Sequence, residues 1–432
     1  MKASSVTSRL LSDRTMPDRP TKTFRFIFMF CVLCLLFALG QFHRSSGSVL
    51  APVLIDEFSL NAQQIGMIMG SMFLAQGLIQ IPFGLLIHRY GCRIIMASTA
   101  LIAVAGSLLI TYASGWTSIL AGRFLLGIGF AASLLGAYTV FVKWGEPRNI
   151  ASLTGRFLFF GSVGGLFATA PFAYMIEIFS WRMVFLFIGI ATLTMAIAAY
   201  VSVRDVPPSL ETKNKTSEPI TLRNSIVGLL SIMKDRRIWP ALSISLFMYA
   251  PLQVLIGLWA GPFLKDVHHL SAIDRSYILF AMAVGMNIGM LIYAPIEQYF
   301  NTRRKVILSA MTFISALFIF LAAIGYAQVW VAVSLFIVIT VSAPFFVLVL
   351  AHTQALFDAE YASRVVSLVN LLAISGIFVM QYLTGFLISL VTDDPNVTGS
   401  TLGYRLVFAS VGVVFFMMML SYRRTQDIPP KG

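Results

Sequence analysis

Arg44 stands inside the apolar stretch 24–54, where a guanidinium has few ways to be stable. At the centre of a membrane helix it would cost roughly 2.5–3.5 kcal/mol, so it must meet water or a partner. Gln41, Arg44, Ser45 and Ser48 recur at three- to four-residue spacing and share one helical face. A planar guanidinium at the centre of that stripe is suited to a carboxylate or phosphate, which it grips bidentately. The bland reading is a structural arginine satisfied by backbone carbonyls. His43 beside it could carry protons, or it could pack as a neutral ring. Other polar residues interrupt later apolar runs: Gln76 and Gln80, Tyr138, Tyr249 and Gln253, Asn287, Asn370 and Gln381. Each could glue helices together or line a solute path, and their spread along the chain suits a central cavity. Carboxylates are missing from the middle of every run. Asp56 and Glu57 fall beyond the end of the first, and Glu177 and Glu297 fall near the ends of theirs.

The elements that must position these residues follow from composition. Of 432 residues, 58% are hydrophobic and 11% charged, against roughly 25% charged in a soluble globule. At roughly 20 residues per crossing, the apolar content suffices for about twelve membrane helices. The expected fold is an all-α membrane protein. A formal charge of +13 could suggest nucleic acid, but the basic residues form short clusters between apolar runs and read as topology signals beside anionic lipid. Three cysteines make no disulfide framework. No Gly-rich nucleotide loop or H-E-x-x-H is present, and the outside pair His268–His269 does not amount to a metal site. The sequence therefore predicts no enzyme, no cofactor and no metal, and an ATP-driven pump would lack its engine.

Twelve spans are predicted: 24–54, 62–87, 94–112, 119–141, 153–179 and 183–203, then 241–263, 276–299, 306–326, 329–352, 365–391 and 406–422. The organisation is a tail (1–23), a six-helix half (24–203), a linker (204–240), a second six-helix half (241–422) and a second tail (423–432). In the linker, Ile226, Leu229, Leu230 and Met233 mark an amphipathic helix for the membrane surface. Arg182, Lys265, Arg275 and Arg405 fall on one side of the membrane and Arg44 and Arg123 within spans. Every other Lys and Arg falls on the opposite side, which the positive-inside rule makes the cytoplasm, with both termini there. Short outer loops suit a bacterial inner membrane, and nothing calls for a chain beyond a monomer.

With these residues laid out, the chain resembles the major facilitator superfamily over 24–422. Gly84, His88, Arg89, Gly91 and Arg93 between spans two and three are similar to its signature loop, with His88 where the family carries an aspartate. Glu297 with Arg303, Arg304 and Lys305 looks like a degenerate second copy. Gly122, Arg123, Gly127 and Gly129 resemble the family's arginine–glycine motif, and Ser180, Trp181, Arg182 and Phe185 the opening of its sixth span. The resemblance implies alternating access, two halves rocking about a midplane site. It implies secondary transport of a small organic solute, proton-coupled symport being the family default. His43, His88, Arg89, Arg93, Arg123 and Glu297 are then candidates for coupling or gating, and Arg44, Gln41, Tyr138, Tyr249, Gln253, Asn287, Asn370 and Gln381 for the solute. Members that carry organic phosphates add an arginine in span seven. None exists in 241–263, which favours a carboxylate or zwitterion. A second reading is a drug or metabolite exporter with an apolar cavity, and a third a non-transporting sensor.

Overall fold

The computed structural model describes residues 24–145, 149–205, 239–357, 362–391 and 400–429. The predicted linker helix lies outside the described residues. The rest is helical, and twelve membrane-length segments emerge where hydropathy placed them. Their irregularities have local causes. The first span is two helices, Phe24–Ser45 and Gly47–Phe58. At the break, the His43 carbonyl accepts from Arg123 Nη1 at 2.5 Å and from the Ser46 hydroxyl at 3.2 Å, in the place a continuous helix reserves for the Gly47 amide. The second piece contains Pro52, which has no N–H for the Ser48 carbonyl.

Two sharp corners are folded into long helices. Ala62–Thr111 holds spans two and three, joined at Gly91 with φ 85° and ψ 161°, a backbone region that only glycine enters freely. Ala170–Ser202 carries the end of span five into span six through Ser180 at φ 66°, after Ile150–Phe167. Span four is Trp116–Trp144.

Span seven is the most broken. Trp239–Phe247 gives way to Ala250–Val254, a π-turn at Leu255–Trp259 and then Ala260–Asp266. Span ten is also interrupted, by a 3₁₀ turn at Ala343–Phe345 between Val329–Ser342 and Phe346–Ala355. π-turns and proline breaks inside membrane helices are tolerated where they face protein or a cavity. Spans eight, nine, eleven and twelve are Ala272–Phe300, Arg303–Ile324, Ala362–Ser389 and Thr401–Tyr422. Ser271, Thr302 and Ser400 cap three of these by accepting a backbone N–H.

Asp56 and Glu57 correct the sequence reading. The first span continues to Phe58, so both carboxylates stand in its last turn rather than beyond it. They are held there by partners. Lys265 Nζ reaches Asp56 at 2.5 Å, while Arg182 Nη1 and Trp181 Nε1 donate to Glu57 at 2.5 and 2.6 Å.

The two halves meet along spans one against seven, two against eleven and five against eight. Glycines make this possible. A side chain on Gly47 would strike the Gly257 carbonyl, one on Gly261 the Ser48 carbonyl, and one on Gly66 the Gln381 carbonyl. Among the described residues, the side-chain bonds between halves lie between the midplane and the face bearing Asp56. Ser48 Oγ donates to the Ile256 carbonyl at 2.6 Å, Gln63 Nε2 to Tyr382 Oη at 3.1 Å, and Lys265 to Asp56. On the opposite, basic face, no hydrogen bond or ion pair joins the halves among the described residues. The molecule is shut on the Asp56 face, hereafter the far face.

Candidate functional site

Arg44 rises from the last turn before the break in span one, and its side chain is half-buried. Nη2 donates to Gln76 Oε1 of span two at 2.8 Å, which fixes the amide so that Gln76 Nε2 becomes a donor. That Nε2 is buried and unpartnered. The Tyr249 phenol of span seven lies within electrostatic reach of the guanidinium, across the boundary between halves. Tyr249 in turn stacks edge-on against Phe346, with ring centroids 4.7 Å apart. Each of these two rings stands beside a helix break, one in span seven and one in span ten.

Gln253 and Gln381 complete the cluster from the second half. Both are buried. Gln381 Nε2 donates to the Gln253 carbonyl at 3.0 Å, and the Oε1 atoms of both side chains lack a donor. A β-carbon built on Gly257 would sit 2.7 Å from Gln253 Oε1, 3.6 Å from Gln381 Nε2 and 3.8 Å from the Arg44 carbonyl. The π-turn thus brings its glycine to a point where both halves converge. Gln41 Oε1, one turn before Arg44, is likewise buried without a partner. Buried amide groups left unpaired are costly, and the four such atoms, on spans one, two, seven and eleven, mark with Arg44 a polar region in which no carboxylate bonds the guanidinium among the described residues. Chemically it offers two donors suited to a carboxylate, Arg44 and Gln76 Nε2. It also offers three acceptors suited to hydroxyl or N–H groups.

For the remaining candidates no bond to this cluster is found among the described residues. Tyr138 is 48% exposed on span four, with no polar partner drawing it to Arg44. Asn287 donates to its own Ala283 carbonyl at 2.8 Å, and Asn370 is half-buried on span eleven. His43 points away from the cluster. Its ring is fully buried among Phe42, Phe130 and Phe185, with centroids 5.4–5.5 Å away and neither nitrogen partnered. Arg123 is 2% exposed and braces the kink of span one through the His43 carbonyl, its other nitrogen reaching Met69 Sδ at 2.7 Å.

The basic-face motif residues form two related clips. Arg93 Nε donates to the Tyr200 carbonyl at 2.7 Å with its guanidinium 4.4 Å from the Tyr200 ring centre, while the Arg93 amide donates to Asp205 Oδ1 at 3.1 Å. His88 and Arg89 are exposed beside it. In the second half Arg303 Nε pairs with Glu297 at 2.5 Å, and the Arg304 amide donates to Asp427 Oδ1 at 3.1 Å. Asp205 and Asp427 were not singled out from sequence, although each follows closely on the last span of its half, a repeat-level signal. Gln76 stood out only as a polar residue, because its role depends on the register of span two against span one. On the far face, between spans one, five and eight, a cavity of about 50 Å³ remains, lined in part by Ser48, Glu177, Arg275 and Ser276.

This architecture and these motifs have counterparts. A bacterial homolog of the human lysosomal transporter Spinster, in an inward-facing and unoccupied conformation, superposes with a TM-score of 0.73 at 17% identity, covering 93% of this chain and 98% of that one. The hexuronate transporter of Bacillus subtilis is 24% identical over 405 residues, 89% of this chain and 94% of its own. The 4-hydroxybenzoate transporter of Pseudomonas aeruginosa is 24% identical over 192 residues, 44% of this chain and 42% of its own. Residues 33–381 match the family described as the Major Facilitator Superfamily. The chain therefore belongs to the major facilitator superfamily of membrane transporters.

Proposed function

We propose that this transporter carries a small organic carboxylate bearing hydroxyl or N–H groups, bound at Arg44 between the two halves. The observation that carries the reading is the Arg44–Gln76 pair. The guanidinium is held by a neutral amide, lies within electrostatic reach of Tyr249 in the opposite half and has no carboxylate bonded to it among the described residues. An arginine serving structure alone would be tied to backbone carbonyls, as Arg123 is. The unpartnered oxygens of Gln41, Gln253 and Gln381 suit the donors of a hydroxylated acid. Hexuronate and 4-hydroxybenzoate, the solutes in the names of two relatives, share a carboxylate and at least one hydroxyl. An exporter with an apolar cavity would have little use for this amide ring.

The basic face is the cytoplasmic face in this reading, from the segregation of Lys and Arg, and the membrane is a bacterial inner membrane. With the far face shut, the conformation described is then inward-facing, and transport proceeds by alternation with a state open to the outside. Binding of glucuronate and 4-hydroxybenzoate to purified protein, measured by calorimetry, tests the site. Arg44→Gln should weaken binding by about two orders of magnitude while leaving the thermal unfolding of the empty protein within a few degrees of the parent. Unchanged affinity in that variant would remove Arg44 from the site.

A further inference from the structure

We infer that this carrier is coupled by exchange, returning one carboxylate for each one it moves, rather than by a proton gradient. The inference rests on Arg44 as the solute's anchor and concerns what happens when that anchor is empty. The groups found at the guanidinium are Gln76 of span two, bonded to it, and Tyr249 of span seven, within electrostatic reach; Gln253 and Gln381 lie by Gly257, next to the Arg44 backbone carbonyl. None is a carboxylate, and no Asp or Glu stands in the middle of any span. With solute bound, the site is a neutral ion pair. Without it, the site holds one bare positive charge.

Alternation passes through a state closed on both faces, in which the guanidinium loses water. The far face already shows how dry that closure is, with glycine backbones of spans one and seven packed directly on carbonyls of the other half. Carrying an unpaired arginine through such a state disfavours it on the order of a hundredfold. The loaded carrier escapes this penalty because the carboxylate supplies the missing charge. The empty carrier therefore waits on one face until another anion binds.

Proton coupling would relieve the same problem only through a group that takes up a proton and senses the solute. The titratable neighbour on Arg44's own helix is His43, and its geometry does not serve. The ring is fully buried in a cage of Phe42, Phe130 and Phe185, with no polar atom bonded to either nitrogen. Its own carbonyl is occupied by the Arg123 guanidinium. A proton on His43 would add a charge between two arginines and hinder rather than help the return step.

The test is uptake into proteoliposomes of the full chain, using labelled glucuronate and 4-hydroxybenzoate as the probes. Vesicles preloaded with the same unlabelled acid should take up label on the order of a hundredfold faster than empty vesicles. An imposed proton gradient should leave that rate unchanged, and His43→Phe should preserve it. Accumulation by empty vesicles driven by the proton gradient would overturn exchange and leave the carboxylate site standing. Failure of both acids under every loading would sink the carboxylate reading itself, and exchange with it. A second measurement needs no solute. In a background with Cys31, Cys34 and Cys92 replaced by Ser, spin labels at Tyr112→Cys and Tyr326→Cys report the width of the far face. Empty wild type should show the closed distance alone, and Arg44→Gln should add an open population. Identical distributions in the two would overturn the proposal.

Discussion

Asp427 accepts the backbone N–H of Arg304 at 3.1 Å, the same bond at the same length that Asp205 makes to Arg93 in the other half. In both cases a carboxylate just past the last span of a half caps the first turn of that half's third span, where unpaired amides and the helix dipole favour negative charge. The duplicated bond preserves the internal repeat in a detail that the divergent loop sequences around His88 and Glu297 no longer show.

Asp427 gives the first expected outcome. Burial alone would raise its carboxyl, but the Thr302 hydroxyl, the Arg304 amide and the charge of Arg304 more than offset this and hold it below the usual carboxylate range. A depressed native value stabilises the fold above the unfolded value, near pH 4, and that contribution disappears as pH falls through the native value. Asp427→Asn should cost about 1 kcal/mol at neutral pH. The gap in thermal stability from wild type should close below about pH 4, and a gap that stays constant down to strong acid would contradict the assignment.

Gln76→Glu should turn a neutral brace into an ion pair with Arg44 at an unchanged separation. The site would lose its net charge, and affinity for glucuronate should fall at least tenfold, about 1.4 kcal/mol or more. Gln76→Asn, too short to reach the guanidinium, should raise the Michaelis constant more than it lowers the maximal rate. Tight carboxylate binding by the Glu variant would show that the guanidinium does not meet the solute.

The Lys265–Asp56 pair is the one ion pair between halves among the described residues. Its exposed partners should add less than about 1 kcal/mol to stability. Lys265→Met should therefore leave unfolding nearly unchanged yet increase labelling of a cysteine placed at Gln63. Equal labelling rates in variant and parent would mean that this pair does not help to hold the far face shut.

Gly47→Ala places a methyl against the Gly257 carbonyl. Overpacking of this kind costs roughly 1–3 kcal/mol, and here the strain exists only while the far face is closed. The variant should favour the conformation open on that face, seen as a longer distance between labels at Tyr112→Cys and Tyr326→Cys. A distance unchanged from the parent would place the contact elsewhere.

Much of this was legible in the residues. Apolar runs located all twelve spans because nothing but hydrocarbon-facing helix accommodates them, and Arg44 stood out because its charge had no local excuse. What stayed hidden depends on tertiary register. Gln76 becomes the partner of Arg44 only once span two is laid against span one. The kink at Ser46 exists because a distant arginine, Arg123, takes the His43 carbonyl. His43 itself, a candidate proton carrier by type, is turned into its aromatic cage by the helix phase that points Arg44 to the centre. Tyr138 is a candidate by its chemistry, and only the structure shows it exposed on span four.

One practical consequence follows from the way the chain leaves span twelve. Gln426 offers its carbonyl to His352 Nε2 at 3.0 Å, Asp427 is bound by Thr302 and Arg304, and the Arg423 carbonyl accepts from the Arg304 side chain. These few residues therefore stitch spans nine, ten and twelve together. A fluorescent reporter or purification handle fused directly at Tyr422 would unpick that seam, while one attached after Pro429 would leave it whole.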